Sequence, residues 1–400
     1  MKLDLLLSRE SFPQVFTDTL SKYLIQRFGW QGEISWKKRR ELRKDILLVH
    51  GKLNLIFPAC IESELLKPLI AEYAYNPHSF RYFLQNLYVK NVINKPFRHL
   101  VSTASIHIDP WVEQMSNWSI LPGNHSIRVI ELDCNKCRVL LKEGFNKKFI
   151  FNEIQLRKNN PGLPIPKLLE WDDDGKWYTE ERVIALPWNR LSDNLVKEYA
   201  LSGAQKALVD LYDLDCKAVK VSVWLFSLIQ ALGLAIERLP SLYTADDKDR
   251  LKNIVNWFNN IAHTGGDERV DIVQTHGDFQ PANILIETNN RNKFYIIDWE
   301  YSEKRPIFYD ALVFASECRS PKGMANRIHQ LSLQNNIYWQ WCFADSNQKQ
   351  NLTHWLLSLF LLEDLLVRLH GLDVPDLIKQ DTGLDTWLQE VEGMNWLVYE

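Results

Sequence analysis

The fold of this chain is decided by the stretch Thr275-His276-Gly277-Asp278-Phe279-Gln280-Pro281-Ala282-Asn283-Ile284-Leu285-Ile286, which is followed by Phe294-Tyr295-Ile296-Ile297-Asp298-Trp299-Glu300. A polar loop leads into a short apolar strand, a polar turn follows, and a second apolar strand ends in a carboxylate. This pattern predicts a β-hairpin. In an antiparallel pair the start of the first strand lies beside the end of the second, so we expect Asn283 and Asp298 to lie together. Asp278 stands on the loop just before them.

These side chains have the chemistry of a metal and proton-transfer site. An amide oxygen and a carboxylate that converge on one point are hard oxygen ligands suited to Mg²⁺. The carboxylate of Asp278 is placed to receive a proton from a substrate hydroxyl. This is a phosphoryl-transfer layout, in which positioning and metal charge supply most of the catalysis. Taken one at a time, the same residues also fit a surface turn and two polar positions on edge strands, so the prediction rests on their combination.

The pattern His-Gly-Asp-x-x-x-x-Asn, followed by two apolar residues and Asp-Trp-Glu, resembles the active-site signature of the choline kinase and aminoglycoside phosphotransferase family. The resemblance implies that Asp278 is the catalytic base and that Asn283 and Asp298 bind magnesium. It also implies that Asp310 braces the catalytic loop, because its spacing is that of the choline kinase branch. We expect His276 to brace the loop rather than to act as a base.

The family has a protein-kinase-like fold, so the resemblance implies an α+β, two-lobed architecture with a small β-rich N-lobe and a larger, mainly helical C-lobe. We predict an N-terminal extension over residues 1–110, a nucleotide-binding N-lobe over 111–188, and a helical C-lobe with the catalytic and metal-binding loops over 189–400. The extension has helical pieces such as Phe12 to Phe28, and its apolar run Ile46 to Phe57 predicts a pair of strands. It carries no chemical signature.

In the predicted N-lobe, two strands over Ser126 to Leu132 and Arg138 to Lys142 precede a helix with Asn146 at its N-cap. Lys142, at a strand end, and Glu153, on that helix, are expected to pair. Such a pair would hold the Lys142 ammonium toward the α and β phosphates of ATP. On spacing alone, either residue also fits a surface charge.

Two further segments are predicted to contact the nucleotide. The loop from Leu121 to Ser126 stands where kinases carry the loop that covers the phosphates. It has one glycine, Gly123, where a protein kinase has three. The strand from Trp177 to Ala185 should lead into the hinge between the lobes, and by family resemblance backbone groups from Glu181 to Val183 would contact the adenine.

Helical apolar spacing recurs through the predicted C-lobe, over Asp193 to Leu211, Cys216 to Leu239 and Ala245 to His263. The apolar run from Trp355 to Leu366 is interrupted by charges before it could span a bilayer, so we predict a buried helix and no transmembrane segment. Glu363 and Asp364 on that helix are candidates for contacting a polar acceptor.

Composition excludes some function classes. A formal charge of −3 argues against a nucleic-acid binder, whose phosphate contacts normally require an excess of Lys and Arg. The apolar run at the start of the chain is short and is broken by Asp4, which disfavours a secretory signal and favours the cytoplasm. The six cysteines are scattered, as expected for reduced thiols.

Residues and resemblance together predict an ATP- and Mg²⁺-dependent phosphotransferase whose acceptor is a hydroxyl of a small molecule or glycan. Choline-like amines, amino sugars, aminoglycosides and surface-glycan sugars all stay open, as does the oligomeric state. The alternative is a pseudokinase, which binds a nucleotide or a partner without turnover. The intact set of Asp278, Asn283 and Asp298 weighs against it. A protein kinase is disfavoured because no Ala-Pro-Glu segment follows Asp298.

Overall fold

The computed structural model describes residues 3–38, 43–71, 79–333, 341–342, 352–375, 377–379, 382–394 and 396–399. They form two compact units. The first holds the chain up to Ile150 together with Pro166–Val183 and Val374–Lys379. The second holds Phe151–Ile165, Ile184–Asp373 and the chain from Gln380 onward. The first unit is rich in strands and the second is mainly helical, which confirms the predicted α+β class.

The first unit is built on one nine-stranded antiparallel sheet. Its strands are β1 (Glu33–Lys37), β2 (Ile46–His50), β3 (Leu55–Pro58), β4 (Ala104–Asp109), β5 (Trp118–Pro122), β6 (Ser126–Glu131), β7 (Lys136–Leu141), β8 (Leu168–Trp171) and β9 (Trp177–Glu181). They are ordered β1-β4-β2-β3-β5-β6-β7-β9-β8. The predicted boundary near residue 110 therefore falls inside a continuous sheet, between β4 and β5, and the first four strands extend the sheet that carries Lys142.

In the described part of this unit, the helices that belong wholly to it are α1 (Leu3–Arg9), α2 (Phe12–Phe28), α3 (Ser63–Ala71), α4 (Ser79–Ile93) and α5 (Lys95–Val101). The bounds of α2 are those predicted. Pro13 in its first turn costs no helical hydrogen bond, and Gly29 ends it in the left-handed region at φ 62°. Its buried Phe12, Phe16 and Leu20 pack into the core against strand residues such as Ile106.

Helix α6 (Lys148–Asn159) follows β7 in the chain. The Asn146 side chain accepts a hydrogen bond from the backbone N of Lys148 at 3.0 Å, so the predicted capping role is observed. The helix starts two residues after the cap and carries Glu153 in its middle.

The helices of the second unit are α7 (Asn194–Tyr212), α8 (Val221–Glu237), α9 (Ala245–Ala262), α10 (Tyr309–Ser316), α11 (Met324–Leu333), α12 (His354–His370), α13 (Thr382–Glu392) and α14 (Trp396–Tyr399). Helix α12 is buried along nearly all of its length, from Leu356 to Leu369, and it packs against α8 and α9. The predicted buried helix is therefore present. Helix α9 begins at the predicted place, where Thr244 and Asp247 form a capping box.

Two small antiparallel sheets complete this unit. One has the order β10 (Ala185–Pro187), β13 (Ile284–Glu287), β14 (Phe294–Ile296), and the other β11 (Lys217–Lys220), β12 (Arg269–Gln274), β15 (Lys304–Pro306). The prediction of a helix from Cys216 was wrong at its start. Residues Lys217–Lys220 pair with β12 as a strand, because the ladder hydrogen bonds from a distant segment outweigh local helical spacing.

Within the described ranges, no helix is long and apolar enough to cross a membrane. All six cysteines are free thiols, as expected from their scatter in the sequence.

Candidate active site

The catalytic-loop stretch folds as the predicted hairpin. Strands β13 and β14 pair in antiparallel register, with Ile284 opposite Ile296. One residue further out, the backbone N of Ile297 donates to the carbonyl oxygen of Asn283 at 3.0 Å. Asn283 thus lies directly across from Ile297, and Asp298 is the next residue. The antiparallel pairing brings the two predicted metal ligands to the same end of the hairpin.

Asp278 is nearly buried, with 9% of its surface exposed. Its Oδ1 accepts a hydrogen bond from Arg319 Nε at 2.5 Å. Its Oδ2 accepts one from Gln280 Nε2 at 2.8 Å and one from Asn283 Nδ2 at 3.1 Å. Three donors therefore fix the orientation of the carboxylate. An ionised carboxylate has about four lone-pair sites, so it retains the capacity to accept a hydroxyl proton.

The amide of Asn283 is oriented by the same loop. Its Nδ2 donates both to the carbonyl oxygen of Asp278 at 2.9 Å and to the Asp278 carboxylate. These acceptors assign the nitrogen end of the amide, so the oxygen end is the atom able to bind a cation.

Asp298 has the backbone conformation φ 71°, ψ 51°, in the left-handed region. A residue other than glycine rarely adopts this conformation, and such strain costs about 1–3 kcal/mol. The half-buried side chain of Asp298 therefore has a direction that an ordinary strand end would not give it. The carboxylate of Asp298 and the amide oxygen of Asn283 are hard-oxygen donors of the kind that fit Mg²⁺, whose shell is completed by water and phosphate.

The described residues hold no group of three or more His, Cys, Asp or Glu side chains arranged for a metal ion. The candidate centre is instead the mixed pair of Asn283 and Asp298. Magnesium commonly takes one or two protein ligands, so two residues match its demand.

His276 is fully buried and braces the loop, as expected. Its Nδ1 accepts from the backbone N of Asp278 at 3.1 Å, and its Nε2 lies 2.9 Å from the carbonyl oxygen of Ile297. These partners are satisfied together by the tautomer with its proton on Nε2. The ring also packs against Trp299, with centroids 4.4 Å apart. The imidazole thus ties the base-bearing loop to the end of the hairpin.

Asp310, at the start of α10, lies beneath the same loop. Its carboxylate accepts from the backbone N of His276 at 2.7 Å and of Gly277 at 2.9 Å. It also accepts from the hydroxyl of Tyr212 at 2.9 Å. Burial, with a smaller contribution from Asp310, raises the pKa of Tyr212 well above its ordinary value, so the phenol remains a donor. The structure therefore places Asp310 where the resemblance implied, as the brace of the loop.

A cluster that the sequence did not reveal surrounds Asp278. Arg319 donates from Nε to Asp278, from Nη1 to Asp364 at 2.6 Å, and from Nη2 to the carbonyl oxygen of Gly277 at 2.7 Å. Arg368 donates to the other oxygen of Asp364 at 2.8 Å. Burial raises the pKa of Asp364, but Arg368 and Arg319 more than offset this and hold it below its ordinary value. The Asp364 and Arg368 pair has helical i, i+4 spacing, which was a usable signal. Nothing near Arg319 in sequence marks its role.

Glu363 and Asp364 were both predicted as candidates for contacting the phosphate acceptor. In the structure their side chains lie in different surroundings. Asp364 belongs to the cluster around Asp278. Glu363 accepts from Trp224 Nε1 at 2.6 Å and lies 3.8 Å from Arg305 Nε, in the interior of the unit. Burial raises the pKa of Glu363 to about 7, although Arg305 and the Trp224 hydrogen bond act in the opposite direction. Adjacent residues on a helix point in different directions, so only one of them reaches the loop.

A cavity of about 250 Å³ borders the catalytic loop. Its lining residues are Trp188, Asn189, Gln280, Pro281, Ala282, Val313, Glu317, Arg319 and Ser320. Gln280 and Arg319 each also contact Asp278. The cavity therefore lies one side chain away from the candidate base.

Lys142 and Glu153 were predicted to position the phosphates of the nucleotide. Lys142 is fully buried and donates to Glu10 Oε1 at 2.6 Å and to the carbonyl oxygen of Asn124 at 2.7 Å. Glu153 forms an ion pair with Arg157, one turn along α6. The expected pairing of Lys142 with Glu153 stays a prediction, and the carboxylate that the structure shows on Lys142 is that of Glu10.

Gly123 lies in the tight turn between β5 and β6, where its backbone N donates to Ser126 O at 2.9 Å. A side chain there would approach that carbonyl oxygen to 2.8 Å, so the turn needs glycine. The backbone N of Glu181 is bonded to Lys167 O at 2.9 Å, which removes one of the donors considered for adenine. Val183 is partly buried, and its adenine contact stays a prediction.

A scan against protein-family models finds no match, and a search of curated proteins finds none either. Solved structures do match. A choline kinase from Streptococcus pneumoniae is 15% identical, with a TM-score of 0.44, over 69% of this chain and 93% of that one. An ethanolamine kinase from Plasmodium vivax is 14% identical, with a TM-score of 0.48, over 83% and 94%. An aminoglycoside phosphotransferase from Streptomyces rimosus is 12% identical, with a TM-score of 0.38, over 64% and 93%.

Proposed function

We propose that this protein is an ATP- and Mg²⁺-dependent phosphotransferase with a two-lobed, protein-kinase-like fold. It transfers the γ-phosphoryl group to a hydroxyl of a small molecule or glycan. The observation that supports the proposal is that the hairpin brings Asn283 and Asp298 to the same end, where the loop before it carries an Asp278 that is hydrogen-bonded to Asn283. An ordinary surface turn would not bury a carboxylate and surround it with three hydrogen-bond donors, as is the case for Asp278.

Asp278 orients the acceptor hydroxyl and takes its proton as the acceptor oxygen bonds to the γ-phosphorus and the bond from that phosphorus to the leaving ADP oxygen breaks. Asn283 and Asp298 would hold Mg²⁺, which supplies positive charge to the phosphate oxygens when bound. His276 and Asp310 hold the loop so that the base does not move during transfer.

The cavity beside the loop suits the acceptor. The exposed carboxylate of Glu317 and the Trp188 ring both line it. The Lys197 ammonium already lies 4.8 Å from the centroid of the Trp188 ring, so the attraction for a further cation rests on the carboxylate of Glu317. Arg319, the positive group in the lining, is already paired with Asp278 and Asp364. We therefore propose an acceptor that carries an amine near its hydroxyl, which favours choline-like amines, amino sugars and aminoglycosides over neutral sugars.

One observation favours the alternative of a nucleotide-binding module without turnover. The Lys142 ammonium, expected to contact the phosphates, is fully buried against Glu10.

To distinguish the two functions, purified wild-type protein should be incubated with γ-labelled ATP, Mg²⁺ and a panel of choline, ethanolamine, glucosamine, kanamycin and glucose. Asp278→Asn is the inactive control.

We expect label transfer to at least one amine-bearing alcohol, none from Asp278→Asn, and a raised KM for that acceptor, with an unchanged KM for ATP, in Glu317→Gln. Nucleotide binding without transfer to any acceptor would favour the pseudokinase. Equal transfer to glucose would contradict the cationic acceptor. The cytoplasmic location stays a prediction that fractionation of the source cells would test.

A further inference from the structure

Lys142, just after β7, is a predicted nucleotide contact whose charge is wholly enclosed. Its Nζ donates to Glu10 Oε1 at 2.6 Å and to Asn124 O at 2.7 Å. The rings of Phe12 and Phe145 flank it, with centroids 5.2 Å and 4.9 Å from Nζ. An ammonium enclosed by aromatic rings is costly unless a carboxylate compensates it. Two directed acceptors therefore fix where this charge points.

The compensating carboxylate comes from the far N-terminal part of the chain. Glu10 lies between α1 and α2, has no exposed surface, and also pairs with Arg9 at 3.0 Å. Its backbone forms a bridge with Leu377, and the backbone N of Ile378 donates to Arg9 O at 2.7 Å. Residues 377–378 thus form backbone hydrogen bonds with the segment that contains Glu10, the residue that holds Lys142. Backbone contacts as well as ion pairs therefore fix the position of Glu10.

The second acceptor connects Lys142 to the β5–β6 turn. Asn124 O belongs to the same turn as Gly123, and Lys142 N donates to His125 O at 3.0 Å. His125, fully buried in that turn, stacks on Phe149 with ring centroids 3.6 Å apart. The position of the ammonium and the shape of the turn are therefore coupled. Movement of one requires movement of the other.

We propose that Glu10 is a positioning residue for Lys142, a role that the sequence did not assign to it. The inference rests on the proposed function, because it takes Lys142 as a phosphate contact. Glu10 holds the ammonium against the turn, and residues 3–12 with 377–378 thereby belong to the nucleotide-binding machinery. Glu153 forms an ion pair with Arg157 on the same helix, and its pairing with Lys142 stays a prediction.

The test compares Glu10→Gln with Glu143→Gln, an exposed carboxylate adjacent to Lys142 that pairs with Lys22 on the surface. Calorimetry with Mg²⁺ and a non-hydrolysable ATP analogue gives the Kd, and thermal unfolding reports stability separately. We expect Glu10→Gln to weaken nucleotide binding by about 10- to 100-fold, the usual effect of losing a charged hydrogen bond. Glu143→Gln should change the Kd less than about twofold. In a Lys142→Met background, Glu10→Gln should cause no further loss.

A purely structural role would lower the unfolding temperature of Glu10→Gln and leave the Kd of the folded protein unchanged, and that result would overturn the inference. Wild-type protein that binds no nucleotide would instead overturn the proposed function, and the inference with it. If Glu10→Gln does not fold, Glu10→Asp keeps the charge but shortens its reach. An acyl-phosphate derivative of ATP should then acylate Lys142 more slowly in Glu10→Asp than in wild type, and an equal rate would contradict the proposal.

Discussion

Arg319 Nε lies 2.5 Å from Asp278 Oδ1, and Nη1 of the same guanidinium lies 2.6 Å from Asp364 Oδ1. One side chain therefore joins the candidate base to the buried helix α12. A planar guanidinium can hold two carboxylates at fixed angles, which an ammonium cannot. The orientation of Asp278 thus depends on a residue that follows the hairpin and on a helix further along the chain.

Asp278→Asn should nearly abolish turnover while the affinity for Mg-ATP stays close to that of wild type. The base contacts the acceptor hydroxyl rather than the nucleotide, and a general base typically contributes about 10²- to 10⁴-fold. Initial rates and calorimetry measure the two quantities. Asp267→Asn, at an exposed ion pair with Lys220, is the control and should change neither. A variant at Asp278 that keeps most of its activity would remove that residue from the role.

Arg319→Lys should lower kcat by about 10- to 100-fold with little change in the Kd for nucleotide, because the ammonium cannot reach Asp278, Asp364 and Gly277 O together. Arg319→Met should also destabilise the fold by about 3 kcal/mol, since the buried Asp364 loses one of its two arginine partners. Urea unfolding measures this. Arg291→Lys, at an exposed pair with Asp193, is the matched control. Wild-type kcat in Arg319→Lys would show that orientation of Asp278 does not limit the reaction.

Asp298→Ala should eliminate Mg²⁺-dependent nucleotide binding and turnover, whereas Asn283→Asp should retain measurable activity with Mg²⁺ or Mn²⁺. The first change removes a charged ligand, and the second keeps an oxygen in place. Titration of each metal at fixed ATP distinguishes a ligand defect, which appears as a raised metal requirement, from a folding defect, which does not respond to metal. Equal ATP binding by wild type in excess chelator would contradict both metal roles.

Gly277→Ala should destabilise the protein by about 2 kcal/mol or more and lower turnover, because the residue has φ +86° and its added Cβ would lie 2.2 Å from Tyr301 O. A backbone carbonyl cannot move aside as a flexible side chain can. Gly233→Ala in α8 is the opposite case, since nothing lies within 4 Å of its Cβ. That variant should gain about 0.5–1 kcal/mol from helix propensity. Thermal unfolding of both variants provides the comparison, and an undisturbed Gly277→Ala would mean that the loop adopts another conformation in solution.

Glu363→Gln should change how stability depends on pH. The folded pKa of Glu363 is about 7, above its ordinary value of 4.5, so the folded state binds this proton more tightly than the unfolded state. The stabilisation is present below about pH 4.5 and is lost as the pH rises to about 7. Glutamine does not titrate, so the unfolding temperature of Glu363→Gln relative to wild type should increase across this window. Glu198→Gln, on the exposed face of α7, is the control variant measured over the same pH range. A constant difference for Glu363→Gln would mean that the carboxyl is not protonated in the fold.

The sequence by itself determined several of the local elements of this protein. The loop and two apolar strands around Asp278 predicted the hairpin, and antiparallel pairing then required Asn283 and Asp298 to meet. Caps determined the ends of helices in the same way, at Gly29 after α2 and at Thr244 before α9. These signals are readable because each depends on neighbours within one turn or one strand pair.

Only the tertiary structure decided which charges compensate one another. Arg319 reaches Asp278 across 41 residues, and Lys142 reaches Glu10 across 132. A lysine on the surface and a lysine in the interior have similar sequence neighbours, so sequence spacing gave no indication that Glu10 contacts Lys142. The physical reason is that burial makes a partner obligatory without specifying its place in the chain, and any segment that the fold brings within hydrogen-bond distance can supply it.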